Sequence, residues 1–265
     1  MHAIQRLYSA EFDYELARRR PNKEYMVASS PRAGSTFLCI ELWKTGLLGA
    51  PMEYANLGTM KTLLRRIYQF DDLDRYWSAV TNLRTSPNGV FGYKMFMNFY
   101  KRIADDEPAL LGRFRPRSVV YLTRRDSVGQ AISHSRAVRS NIWFSGTEQP
   151  SAIDYEYAHI RKCEIFLQRQ EQFWRDLFSE IGVQPLEVAY EDLQADPPNV
   201  VQKVAEYLNI DLSKESQLEL PQLEIQRDTI SQRWRERYLE DRQQKVSNAS
   251  SSLIANLPDV FPLCE

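Results

Sequence analysis

Four short runs of apolar, β-branched and aromatic residues punctuate the chain: YMVAS at 25–29, VFGYKM at 90–95, SVVYLT at 118–123 and PLEVAY at 185–190. Each has strand length, with turn-forming residues on at least one side, and reads as a strand. Between them, apolar positions recur at helical spacing and predict helices over 36–45, 60–82, 127–139, 151–181, 198–208 and 226–245. Gly46 stops the first of these. Pro198 sits in the first turn of the fifth, where a missing N–H does no harm.

Strands alternating with helices predict an α/β fold, with a mostly parallel central sheet flanked by helices. Ligands of such sheets sit beyond the carboxyl ends of the strands. Three of the four strands run at that end into polar stretches: a loop from Ser30, an arginine-rich turn from Arg124 and a Tyr-Glu-Asp run from Tyr190. The connection 50–89 is long for a strand-to-strand link, and 57–85 reads as a helical insertion or a lid over the site.

Length and charge narrow the picture. The 265 residues fit one domain over the whole chain. Lys plus Arg (34) nearly balance Asp plus Glu (35), so any anion site is local and a nucleic-acid partner is not expected. No run has the length of a membrane span, and the first twenty residues carry no signal-peptide core, so a cytoplasmic protein with no transmembrane segment is expected. Cys39, Cys163 and Cys264, with His2, His134 and His159, have no disulfide or metal-ligand spacing. The serine-rich stretch at 247–252 leads into a tail, and 247–265 is expected either to be loose or to dock on a partner.

The first loop, Ser29-Ser30-Pro31-Arg32-Ala33-Gly34-Ser35-Thr36, joins a strand to a helix. Such a unit aims free amides and the positive helix end at one point, which suits phosphate. Gly34 permits close backbone approach, Ser35 and Thr36 add hydroxyls, and Arg32 adds a fork that fits phosphate oxygens. The same residues also suit an ordinary helix start with a solvated arginine. A Walker A loop would have lysine after the glycine to reach the outer phosphates; here Ser35 stands there. The third strand ends in arginines rather than a metal-binding aspartate. The loop therefore suits an anion held without metal. After that strand, Arg125 and Ser133 lie eight residues apart and could face one phosphate from a strand end and a helix.

Together, the SSPRAGST loop, the arginine and serine at that spacing, and the segment Tyr190-Glu191-Asp192-Leu193 with Ala195-Asp196-Pro197 resemble the sulfotransferases that use 3′-phosphoadenosine 5′-phosphosulfate (PAPS). The stretches GAPMEYANL (49–57), SPNGVFGYKMF (86–96), QAISHSRAV (130–138) and QRDTISQRWRERY (226–238) are similar to bacterial carbohydrate sulfotransferases of the trehalose 2-sulfotransferase type.

The resemblance implies a P-loop-like sulfotransferase fold and a donor held without metal, with the adenosine bisphosphate PAP as product. It implies that Arg32 and the backbone of Ala33, Gly34, Ser35 and Thr36 hold the 5′-phosphosulfate, and that Arg125 and Ser133 hold the 3′-phosphate. Gln226 and Arg227 would close over the nucleotide. The histidine base of many animal and plant members has no counterpart, since Tyr93-Lys94-Met95-Phe96 stands in its place. The trehalose-type pattern instead maps the base onto Glu53. Lys94, at the carboxyl end of the second strand, could stabilise the transferring group, and His134, next to Ser133, is a weaker rival base. The acceptor would be a small molecule or glycolipid with a free hydroxyl, and the resemblance is compatible with a homodimer. Two other readings stay open: a small-molecule kinase with a degenerate phosphate loop, and a catalytically idle nucleotide-binding protein.

Overall fold

The computed structural model describes residues 6–14, 21–56, 73–106, 108–114, 117–143, 153–214, 218–220 and 229–255. Its centre is a four-stranded sheet of β1 (Lys23–Ser29), β2 (Val90–Met95), β3 (Ser118–Thr123) and β4 (Leu186–Ala189). All pairings are parallel, in the order β2-β1-β3-β4. Around it pack α1 (Ser35–Lys44), α2 (Leu73–Arg84), α3 (Met97–Asp106), α4 (Ser127–Ser140) and α5 (Tyr157–Glu180). Then come α6 (Tyr190–Ala195), α7 (Pro197–Tyr207) and α8 (Thr229–Ala255).

Every residue of β2 is buried, as are the last five of β1 and the middle four of β3. Such near-continuous apolar runs belong to a parallel sheet covered on both faces. The chain passes from β1 to β2 on one side, then crosses to β3 on the other side of β1. This reversal opens a crevice between the carboxyl ends of β1 and β3, where open α/β sheets bind ligands. The first loop and the arginine-rich turn both emerge there.

The four expected strands are present, with β4 ending one residue earlier, at Ala189, because Tyr190 begins α6. The helix expected over 151–181 starts only at Tyr157. Residues 153–156 are not helical. Arg139 Nη1 donates to the Asp154 carbonyl (2.6 Å), and Tyr155 donates to Asp241 Oδ2 (2.7 Å), so contacts with α4 and α8 override the periodicity. Helix α3 was not anticipated. It follows β2 almost directly and buries Tyr100 and Ile103. The expected helix 60–82 is seen as α2, and its part over 60–72 lies outside the described residues. Helix α8 continues through 247–255, where a loose tail was expected; 256–265 lie outside the described residues. Once nucleated, a helix adds one hydrogen bond per residue, so the anchored first half of α8 propagates into a neutral sequence.

That anchor is a second apolar cluster, separate from the sheet core. Val128, Ala131 and Ile132 of α4 meet Ile160, Cys163 and Leu167 of α5, and Trp234 and Tyr238 of α8. Buried Glu164 at its centre accepts from Tyr238 (2.7 Å), Arg242 (3.2 Å) and Arg161. This cluster fixes α4, and with it Ser133, against α5 and α8. No helix among the described residues is long and apolar enough to cross a membrane.

Candidate active site

The loop after β1 turns through two left-handed residues, Arg32 (φ 64°) and Gly34 (φ 86°). Gly34 is the N-cap of α1, and no side chain caps the helix. The amides of its first turn are thus left without a side-chain cap among the described residues. A Cβ on Gly34 would lie 2.3 Å from Tyr190 Cδ2. Gly34→Ala therefore meets both the left-handed penalty, about 1–2 kcal/mol, and an aromatic ring that must move. A thermal melt of this variant is expected several degrees below wild type; an unchanged midpoint would show that the loop adopts another path.

Side chains from the helices hold the loop from behind. Trp174 Nε1 of α5 donates to the Ser29 carbonyl (3.0 Å). Gln130 Nε2 of α4 donates to Ser30 Oγ and to the Pro31 carbonyl (both 2.8 Å). Ala33 and Ser35 are buried. The Arg32 guanidinium lies inside the crevice, donating through Nε to Ser133 Oγ (2.9 Å) and through Nη1 to the Trp143 carbonyl. Burial, with Arg124 and Arg136 nearby, lowers its pKa from the usual arginine value. A site that gathers buried positive charge in this way favours an incoming anion.

At the carboxyl end of β2, Lys94 is almost wholly buried, at 1% exposure. Its Nζ donates to Thr36 Oγ1 (2.9 Å) and pairs with Glu53 Oε1 (2.7 Å). Glu53 is brought there by a one-residue parallel bridge between Met52 and Tyr93, in which Lys94 N donates to the Met52 carbonyl (2.9 Å). The other Glu53 oxygen accepts from Asn56 Nδ2 (2.9 Å). Glu53, Lys94 and the loop after β1 thus form one connected unit, although Thr36 and Glu53 come from separate segments.

The turn after β3 departs from the expected convergence of Arg125 and Ser133. Ser133 is engaged by Arg32, whereas Arg125 points to the surface and forms an end-on pair with Asp192 (2.8 and 2.6 Å). The neighbouring β4 end supplies that carboxylate, and Asp192 holds the Arg125 guanidinium above its usual pKa. Arg124, which the sequence reading did not single out, faces inward. Its Nη1 donates to the Arg32 carbonyl (3.2 Å), and its guanidinium lies over the Tyr190 ring at 5.0 Å. Its Nε is buried without a hydrogen-bond partner. Continuing the two-residue alternation of β3 past Thr123 would have placed these arginines on opposite faces. Gln226 and Arg227 lie outside the described residues.

His134 sits between the rings of Phe166 (5.3 Å, near-parallel) and Trp143 (5.9 Å). Burial, with Arg32 and His159 nearby, pushes its pKa down to about 4. It is neutral at pH 7, and its buried Nδ1 has no partner. A base of that strength holds little advantage over a carboxylate. The depressed value also has a stability consequence. Between about 4 and the ordinary histidine range the unfolded chain binds the extra proton, so stability falls as pH drops through that window. Urea unfolding at pH 7.5 and 4.5 should show wild type losing about 1–2 kcal/mol more than His134→Gln, after allowance for solvent screening. Equal losses would remove His134 from the acid response.

Among the described residues, no group of three or more His, Cys, Asp or Glu could hold a metal ion. A profile of the Stf0 sulphotransferases matches residues 24–241, from the start of β1 into α8. The chain belongs to the Stf0 sulfotransferase family. This sulfotransferase is 30% identical to the trehalose 2-sulfotransferase of Mycolicibacterium smegmatis, over 83% of the chain and 95% of that protein. It is 28% identical to the trehalose 2-sulfotransferase of Mycobacterium tuberculosis, with the same two coverages. Among solved structures it is similar to a sulfotransferase domain from the curacin biosynthetic pathway, at 19% identity and TM-score 0.47, covering 73% of this chain and 76% of that one. Family membership makes the chain an enzyme that transfers sulfuryl groups, and the crevice between β1 and β3 is its candidate active site.

Proposed function

We propose that this sulfotransferase moves the sulfuryl group of PAPS to a hydroxyl of a carbohydrate, with Glu53 as general base. The observation that carries this reading is the Thr36–Lys94–Glu53 chain, which links the anion-binding loop directly to a carboxylate. The residues present fit a phosphosulfate. The start of α1 lacks a side-chain cap, Gly34 leaves room for close approach of an anion to the backbone, and Arg32, Arg124 and Lys94 concentrate positive charge there.

In the reaction, the acceptor oxygen forms a bond to sulfur while the bond from sulfur to the 5′-phosphate oxygen breaks. The hydroxyl proton passes to Glu53, and the leaving electron pair stays on the phosphate. Arg32 and the amides of the loop stabilise that phosphate as its charge grows. Lys94 is held between loop and base, and it can shift its ammonium from Glu53 to the equatorial sulfuryl oxygens. That shift would unmask the carboxylate as the donor arrives. The positioning supplies much of the barrier reduction, because acceptor, sulfur and leaving oxygen must be in line. Arg125 and Ser133 are assigned to the 3′-phosphate. The exposed Arg125–Asp192 pair is weakly held and can yield to it. The carbohydrate acceptor rests on the two trehalose 2-sulfotransferases to which the chain is similar.

Calorimetry in EDTA with adenosine 3′,5′-bisphosphate, alongside ATP with magnesium, tests the donor. Metal-free binding of the bisphosphate supports the reading, and binding of ATP that requires magnesium would point to the kinase alternative. Transfer of labelled sulfate from PAPS to a panel of sugars, trehalose first, tests the acceptor. Labelling of no sugar would sink the carbohydrate assignment while leaving the donor site standing.

A further inference from the structure

The Tyr190-Glu191-Asp192 run takes no part in the chemistry above, yet each of its residues holds a different piece of the donor site. The register of β3 on β4 pairs Thr123 with Ala189, so the two strand ends leave the sheet side by side. Tyr190 fills the space above Gly34 and lies beneath the Arg124 guanidinium. Asp192 takes the Arg125 fork. Between them, the Glu191 carboxylate accepts from two successive backbone amides of the turn, Arg125 N and Asp126 N (both 3.1 Å). Asp126 in turn caps α4 through Gly129 N (3.0 Å) and pairs with Arg235 of α8.

Two adjacent amides donating to one carboxylate fix the two peptide planes that flank the Arg125 Cα, and with them the φ and ψ of Arg125. Those two planes set the direction in which Arg125 leaves the strand, and the first of them also joins it to Arg124. The amides at this turn are also satisfied by the protein itself, so an anion bound there must be recognised by the side chains. We propose that Glu191 is a positioning residue for recognition of the 3′-phosphate: its two-point hold on the turn sets Arg125, whose fork distinguishes a 3′-phosphorylated nucleotide from one without that group. The inference rests on the donor reading above.

The test compares two ligands that differ only in that phosphate, adenosine 3′,5′-bisphosphate and adenosine 5′-monophosphate. Their dissociation constants are measured by calorimetry on the full chain, for wild type, Glu191→Gln and Glu191→Ala. Loss of charge-assisted bonds to the turn should weaken bisphosphate binding by about tenfold or more in Glu191→Ala. Binding of the monophosphate should change by less than about twofold. Glutamine keeps one acceptor oxygen and can satisfy only one of the two amides well, so Glu191→Gln should fall between. This graded selectivity loss is not produced by general loosening of the fold.

Equal weakening of both ligands, or bisphosphate affinity unchanged in both variants, overturns the inference. Should Glu191→Ala fail to fold, the isosteric Glu191→Gln decides by the same ratio of the two constants. If wild type itself does not prefer the bisphosphate, the donor reading falls and this inference with it. If wild type prefers it and the variants keep that preference, only the inference falls.

Discussion

Glu53→Gln is expected to lower kcat by about 10²–10⁴-fold, the range associated with losing a general base, while leaving the affinity for adenosine 3′,5′-bisphosphate within about threefold. The asymmetry follows from where Glu53 sits. It meets the loop after β1 through Lys94, and it reaches that position on the Met52–Tyr93 bridge rather than on the loop itself. Glutamine preserves the shape and keeps one acceptor oxygen for Lys94 Nζ, while its amide nitrogen takes the place of the oxygen that accepts from Asn56 Nδ2 and forfeits that bond; the Lys94 link should keep the site assembled. What it loses is the capacity to take a proton. Lys94 is buried and would then lack its counter-charge, so some stability loss should accompany the change. Single-turnover transfer with saturating donor and acceptor, together with a thermal melt, separates the two effects. Turnover at the wild-type rate in a folded Glu53→Gln protein would remove Glu53 as base and return attention to His134.

Arg32→Gly should cost about 10²–10³-fold in kcat and weaken bisphosphate binding, yet leave the melting temperature within a few degrees. Two terms act on stability in opposite directions. Arg32 occupies a left-handed conformation that glycine adopts freely, and its guanidinium is buried among other arginines, so its removal relieves strain and repulsion. Glycine gains freedom in the unfolded chain, and the contacts to Ser133 and the Trp143 carbonyl are lost, which offsets that relief. The function has no such compensation, because nothing else in the loop supplies a charged fork. Arg32→Lys keeps the charge without the fork and should recover only part of the rate. A fully active Arg32→Gly enzyme would exclude Arg32 from holding the leaving phosphate.

Much of the architecture was legible because its signals are local. Strand runs, the strand-loop-helix unit and the placement of polar motifs after strands depend on residues a few positions apart. They led to the parallel α/β sheet that the structure shows. The misread segments are those where distant contacts win. Residues 153–156 leave the helical pattern because α4 and α8 bind them. Met97–Asp106 follows a strand too closely for its own signal to stand apart.

For the candidate site the division is sharper. Residue types and spacing along the chain determined which groups are available: an arginine-bearing glycine loop, a lysine at a strand end, a carboxylate at Glu53, and arginines after the third strand. Only the tertiary structure decided which of them meet. It paired Lys94 with both Thr36 and Glu53, gave Ser133 to Arg32, and turned Arg124 inward while Arg125 met Asp192. It also made Glu191 the hold on that turn. The reason is physical. A side chain's direction depends on strand register and on which partner satisfies its charge, and those partners lie 41 to 101 residues away in the chain, at separations a sequence pattern does not encode.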